Sequence, residues 1–382
     1  MGPDSVVALP CSGLGIVNRG MEARAFETAS MLRRRGVKIV LVGGGRPASP
    51  IQRSLPCIPR DSFIFGGHLS PIPWARRVRI EETTFSNMLV QKLSGMSLKN
   101  LLFFVLQPYV ANRLQKAKKN RRIRAPIVVT NGFTHHPQRL QGFEFVHVLA
   151  PYYLELARQL GMDTHKWYFA PQPVNTEVFK PKPREEIRKS LEISQDDFVV
   201  LVAGAINWSY KRIDHAIREV AILKEAHRGA KLLVVGQVES ETAYIVNLGR
   251  KLLGSDVIFR TTRHDNMPNV YAAGDVFVLP TRKEIIGNVF AEAMACGVPA
   301  VGDDYPVTKW IIEDGGDTVD MRRAGQLAGV LERYAKDESY RLNRSRRAHE
   351  RALNYFSTDV IVPQYLKMFE SIMQEASVGA NA

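Results

Sequence analysis

Short apolar runs alternate with helix-length stretches along most of this 382-residue chain, and that alternation limits its fold more than any other feature. Val6–Leu9 reads as a strand, a loop with glycines follows over 11–20, and a helix comes next with Ala25, Ala29 and Leu32 on one face. Gly36 ends that helix behind Arg33, Arg34 and Arg35, basic residues suited to its negative end. Lys38–Val42 is the next strand. Strand, loop, helix and strand in that order open a parallel α/β sheet. Ile127–Thr130 is a further strand, leading into the loop Asn131-Gly132-Phe133-Thr134-His135-His136. Residues 43–130 otherwise give no clear pattern.

A proline-rich segment over 170–183 (Pro171, Pro173, Pro181, Pro183) reads as an interdomain linker. After it the rhythm restarts, with strands expected at Phe198–Ala203, Lys231–Val235, Val257–Phe259, Val276–Leu279 and Pro299–Val301 and helices between them. The length suits two or three domains. The expectation is two doubly wound domains in tandem, 1–172 and 173–363, with a final helix over 364–382 after Pro363. No run of about 18 apolar residues is present, which excludes a spanning helix. No secretory leader is visible, and Cys11, Cys57 and Cys296 are too far apart for a metal or disulfide framework, so a cytoplasmic setting is expected.

Charge is unevenly spread. Residues 1–172 hold 24 Lys and Arg against 9 Asp and Glu, whereas the remainder holds 28 against 29. The densest part, Arg113–Arg124, has seven basic residues and no acid, and the apolar stretch Leu98–Val110 precedes it. Together, 98–124 fit a peripheral contact with an anionic membrane at its inner face, or else a buried helix followed by a solvated basic one. Nucleic acid is not expected: aromatic residues are not interleaved with the cluster, and no zinc-finger or RNA-binding signature is present.

The segment Pro280–Pro299 carries the clearest chemistry. Glu284 falls in the loop after a strand, Gly287 lets the backbone turn, and a helix starts near Asn288 with Glu292 one turn inside it. The free N–H groups of Gly287, Asn288 and Val289 would face whatever lies at the helix start, which suits a phosphate or a hydroxyl-rich ligand. The two carboxylates could accept hydrogen bonds from sugar and ribose hydroxyls; taken alone, they could equally be solvated surface acids. The segment resembles the donor-binding signature of retaining GT-B glycosyltransferases of group 1, the large family that includes sucrose synthase and the phosphatidylinositol mannosyltransferases. Its spacing is kept at Glu284, Gly287, Glu292, Ala293, Met294, Ala295, Gly297 and Pro299. Pro171–Pro181, the stretch from Asn266 to Thr281, and the C-terminal Asn354–Glu370 resemble three further family segments.

The resemblance implies an α/β fold of GT-B type: two Rossmann-like domains with a cleft between them, the first binding acceptor, the second binding a UDP- or GDP-sugar, and the last helix packing back on the first. It implies a retaining hexosyltransferase of polysaccharide or glycolipid biosynthesis, needing no cofactor and no metal, with front-face attack assisted by the departing diphosphate. Glu284 would meet the donor sugar, Glu292 the ribose, and Gly287, Asn288 and Val289 the sugar and diphosphate. The family's Gly-Arg…Lys pair is here Gly204, Ala205 and Lys211, so one cation is missing; Arg212, or Arg282 with Lys283, could replace it. The family's Gly-Gly-x-Glu is here Arg19, Gly20, Met21 and Glu22, with Gly20 still able to approach a phosphate. The family's cleft histidine would be His135 or His136, with His147 as an alternative. The acceptor is expected to be anionic or membrane-associated, because the excess positive charge lies in the first half. The competing reading is a degenerate member that binds nucleotide or glycan without efficient turnover, for which the missing arginine at 205 speaks.

Overall fold

The computed structural model describes residues 4–17, 20–47, 49–65, 71–94, 96 and 100–381. The chain divides into two units, Met1–Gln172 with Ile361–Ala382, and Pro173–Val360. Each is a parallel α/β sheet with helices, the doubly wound class expected from the alternation of apolar runs.

The first unit contains β1 (Val6–Cys11), α1 (Gly20–Arg34), β2 (Ile39–Gly43), β3 (Gln52–Ser54), α2 (Trp74–Leu93), β4 (Leu101–Val105), α3 (Pro108–Lys119), β5 (Ile127–Thr130), β6 (Phe145–Val148), α4 (Pro151–Gln159) and β7 (Trp167–Phe169). Its sheet order is β3-β2-β1-β4-β5-β6-β7, all parallel. The chain moves outward from β1 in one direction, then returns to lay β4 on β1's other side. The carboxyl ends of β1 and β4 therefore flank the switch point where ligands of open α/β sheets collect. The strands are buried on both faces, which is why β4 and Ile127–Val129 of β5 are unbroken apolar runs, while β6 carries a buried histidine, His147.

This burial corrects the membrane reading of the apolar stretch. Leu102 to Leu106 are at most 2% exposed, and β4 pairs with β1 and β5. These side chains are spent on the sheet's core, and the element is a strand rather than a helix. Leu98 lies outside the described residues, as does Arg19. The basic residues that follow are largely on the surface of α3 and the turn after it.

The second unit contains α5 (Glu185–Ser190), β8 (Phe198–Ala203), α6 (Ile213–Ala226), β9 (Ala230–Val235), α7 (Thr242–Leu253), β10 (Val257–Arg260), α8 (Met267–Ala273), β11 (Val276–Leu279), α9 (Asn288–Ala295), β12 (Ala300–Asp303), α10 (Pro306–Ile312), β13 (Gly316–Val319), α11 (Gln326–Lys336) and α12 (Glu338–Phe356). Its order is β10-β9-β8-β11-β12-β13, again all parallel, with the switch point between β8 and β11. Val200 of β8 is in register with Leu232 of β9 on one side and Val276 of β11 on the other.

Helix α13 spans Thr358–Asn381, with Pro363 inside it. It starts before the proline because its apolar stripe does: Ile361, Tyr365, Met368, Phe369 and Ile372 recur at helical spacing and are all buried. The proline forgoes one intrahelical bond. In the first unit, the Tyr365 and Phe369 rings pack edge-on against Phe104 of β4, with centroids 5.8 and 5.6 Å away. Among the described residues no helix is long and apolar enough to cross a membrane.

Candidate active site

At the switch point of the second unit, the turn after β8 leads into the start of α6. Gly204 (φ +152°) begins it, with the aliphatic chain of Lys211 lying over its α-carbon face. Asn207 shapes the turn: its Oδ1 accepts from Lys211 N at 2.7 Å, and its amide donates to Glu239 at 2.8 Å. Glu241 accepts from the backbone N–H groups of Trp208 and Ser209. The turn thus presents Lys211, whose Nζ lies 2.9 Å from Glu284 Oε2 in the loop after β11. Both side chains are mostly out of water. Glu284 neutralises Lys211, so an arriving anion must share the ammonium with it. Burial, then the Glu284 charge, pushes the neighbouring Tyr210 hydroxyl well above its ordinary pKa, so it stays a neutral donor.

Arg212 takes the left-handed conformation (φ +53°) as the residue that starts α6, and its guanidinium donates to the carbonyls of Pro280 at 3.3 Å and Met321 at 2.9 Å. It is therefore committed to backbone within the unit. Arg282 and Lys283 are exposed. Thr281 Oγ1, just before the Glu284 loop, is buried and has no hydrogen-bond partner among the described residues.

Gly287 turns the chain into α9 at φ +64°; a β-carbon there would stand 2.8 Å from Ile311 Cδ1 and 2.9 Å from Phe290 Cδ2. Asn288 and Val289 occupy the first turn of α9, where N–H groups have no intrahelical acceptor. One turn on, Glu292 is 7% exposed rather than a surface acid. Its Oε2 accepts from Tyr271 OH at 2.8 Å, and its Oε1 lies 3.1 Å from His264 Nε2. Burial first and Glu292 second hold the Tyr271 phenol far above its ordinary pKa, fixing it as a donor. The carboxylate is thus oriented with a free lone-pair direction on each oxygen. Tyr271 lies in a segment that resembles the family; nothing near His264 in the sequence marks it as a partner of Glu292.

The first unit has its own polar network at its switch point, built largely from the region without a readable pattern. Glu81 of α2 is fully buried and takes Arg60 in a fork, Nε at 2.9 Å and Nη2 at 2.5 Å, with Ser12 Oγ at 2.7 Å. Gln107, at the end of β4, bonds to Ser12 and to Glu82. Glu22 lies 3.8 Å from Arg60. Gly20 is exposed at the start of α1, and a β-carbon there would meet nothing within 4 Å. Arg24 bonds to Gln172 and Thr130, beside Asn131, whose buried amide nitrogen has no partner among the described residues.

His135 is half-buried, its Nδ1 3.3 Å from Tyr153 OH, and His136 is exposed ahead of a short helical turn over 137–140. His147 is fully buried in β6 and donates from Nε2 to Ala170 O at 2.7 Å. Burial pushes its pKa down to about 3, so it is neutral and structural. Asp303 ends β12; its carboxylate accepts from Met321 N at 3.0 Å, and burial raises its pKa. Among the described residues no three His, Cys, Asp or Glu side chains group as they would around a metal ion.

Residues 183–351 match the family model described as glycosyl transferases group 1. The match lies within the second unit of this chain. Among its relatives, N-acetyl-alpha-D-glucosaminyl L-malate synthase of Bacillus anthracis is 28% identical over 210 residues, 54% of each chain. A D-inositol 3-phosphate glycosyltransferase of Acidothermus cellulolyticus is 28% identical over 59% of this chain and 53% of its own. The chain spans about half the length of these relatives. Among solved structures, sucrose-phosphate synthase from Thermosynechococcus elongatus has a TM-score of 0.80 at 18% identity, covering 97% of this chain and 100% of that one. HepE from Anabaena, in complex with UDP and glucose, has a TM-score of 0.74 at 17% identity, covering 96% and 100%. These likenesses establish a GT-B-type pair of Rossmann-like units.

Proposed function

We propose that this chain transfers a hexose from a UDP- or GDP-sugar to an acceptor hydroxyl, with retention at the anomeric carbon. The observation that carries the reading is the juxtaposition at one sheet edge of the Lys211–Glu284 pair, the α9 start and the oriented Glu292 carboxylate. In this reading Glu292 accepts from the ribose hydroxyls, and Lys211 shifts from Glu284 to the diphosphate. The N–H groups of Gly287, Asn288 and Val289 stabilise the charge that builds on the leaving group. Glu284, released from its cation, takes hydroxyls of the donor sugar. The departing diphosphate removes the acceptor proton on the same face, the C–O bond to the acceptor forms where that to phosphate breaks, and no added cofactor or metal is needed. By the resemblance, Gly20, His135 and His136 of the first unit are further candidates for contact with substrate.

The acceptor is proposed to be anionic and bound by the first unit, residues 1–172. The relatives' names support this, since they carry a malate and an inositol phosphate, as does the excess of 24 basic over 9 acidic residues. The second unit is the donor-binding half. The reading sets the chain in the cytoplasm, at the inner face of an anionic membrane, in polysaccharide or glycolipid biosynthesis. A second reading, binding without efficient turnover, draws on Ala205 and on the commitment of Arg212 to two carbonyls. The test is product analysis after incubation with a panel of α-linked UDP- and GDP-sugars and phosphorylated or carboxylated acceptors. An α-linked product by proton NMR is expected; a β-linked product would remove the retaining mechanism, and no product would favour the second reading.

A further inference from the structure

The first unit holds a cavity of about 530 Å³ between α2 and α3, lined among others by Asn87, Val90, Gln91, Arg113, Lys116 and Arg122. Topology sets it apart from the switch point. Helix α3 leaves the carboxyl end of β4 and ends beside the amino end of β5, and α2 ends ahead of the amino end of β4. The groove is lined by the second halves of both helices, so it lies toward the amino edge of the sheet, whereas Ser12, Gln107 and Asn131 sit at the carboxyl edge.

Its chemistry is one-sided. From Thr83 to Phe143 the chain has no Asp or Glu, against ten Lys and Arg. Arg113 donates to Asn87 across the groove, and Lys118 is paired with Glu144. The side chains of Lys116 and Arg122 have no hydrogen-bond or ion-pair partner among the described residues. Arg122 is brought back over the helix end by a tight closure: Arg121 takes the left-handed conformation (φ +59°), and Arg122 N donates to Ala117 O at 2.9 Å. A helix C-terminus carries about half a negative charge. Two of them oppose three cations, so a positive excess of about two charges remains for a ligand. Buried Val90 and Ala117 form an apolar floor, and the amides of Asn87, Gln91 and Asn120 add donors at the rim. The volume lies within the range of small-molecule sites, about 300–1,000 Å³.

We propose that this groove is a second ligand site, for a phosphate-bearing group of two or more negative charges, held by Arg113, Lys116 and Arg122 and separate from the donor and acceptor positions. A phospholipid headgroup and a soluble phosphorylated molecule share that chemistry.

The test is hydrogen exchange of the intact protein with and without inorganic pyrophosphate, which resolves this groove from Lys211. Protection of peptides covering 84–93 and 113–124 is expected. It should weaken about tenfold or more in apparent affinity, about 1.4 kcal/mol or more, in R113Q/K116Q/R122Q. The charge-matched R33Q/R34Q/R35Q, at the end of α1, should leave it unchanged. K116Q/R122Q, which keeps the Arg113–Asn87 bond, stands in if the triple variant melts early. No protection in wild type, or equal weakening in both charge-reduced proteins, would overturn the site. Flotation with phosphatidylcholine vesicles with and without phosphatidylglycerol then assigns the source. Phosphatidylglycerol-dependent flotation lost in R113Q/K116Q/R122Q supports a lipid headgroup; pyrophosphate protection without flotation supports a soluble phosphate.

Discussion

Lys211 and Glu284 are a mostly buried pair, and removing one member strands the other's charge. Lys211→Ala should therefore lower turnover by about 100-fold, the scale of a lost charge stabiliser, and also lower the melting temperature. The double variant with Glu284→Gln should regain part of that stability but none of the activity; steady-state kinetics and calorimetry on the four proteins check both. His147 gives a pH prediction. Its folded pKa of about 3 lies below its unfolded value of 6.5, so the unfolded state binds the extra proton. Stability from this site is full above about pH 6.5 and lost as pH falls toward 3. His147→Phe should flatten that part of the stability curve measured by denaturant titration. At this scale Glu284, Gly287 and Glu292 were legible because they keep one spacing in one stretch of chain, and Lys211 because it keeps its place after Gly204. Their partners were not: His264 and Tyr271 reach Glu292 from a loop and helix that only folding brings near.

Elements depend on a few positions that admit one residue type. Gly287→Ala would combine a left-handed backbone with contacts of 2.8 and 2.9 Å to side chains. The backbone alone costs about 1–2 kcal/mol. Its melting point should fall, and nucleotide affinity should fall with it as the α9 start moves. Arg188 of α5 is fully buried and bonds to Asp275 at 2.7 Å, and Asp275 also accepts from Val199 N, tying α5, β8 and β11 together. Arg188→Met should cost about 1–3 kcal/mol by denaturant unfolding, because it leaves the carbonyls of Ala273, Ser194, Gln195 and Asp197 without their donor, while Arg184 at 2.8 Å still pairs Asp275. Five of the six strands of the second unit were readable to within about two residues because parallel strands covered on both faces are unbroken apolar runs, whereas the edge strand β13, Gly-Asp-Thr-Val, has no such run and was missed. The same property made β4 ambiguous, since an apolar run beside a basic helix also fits a membrane surface. Helix α2 was unreadable because its buried face includes Glu81 and Ser86 among Phe85, Leu89 and Val90, which breaks the apolar stripe.

The whole chain comprises two Rossmann-like units, each with its own sheet, and the C-terminal helix supplies core residues to the first. A chain ending at Val360 loses Tyr365, Phe369 and Ile372 from the core of the first unit, each wholly or almost wholly buried. Thermal unfolding of that chain should show early loss of the first unit, with nucleotide still bound by the second. The most direct test of the central claim is calorimetric titration of the full chain with UDP and with GDP, in wild type and Glu292→Gln. One nucleoside diphosphate should bind wild type and bind Glu292→Gln about tenfold or more weakly, a loss of about 1.4 kcal/mol or more. Binding of neither nucleotide, or equal affinity in the two proteins, would contradict it.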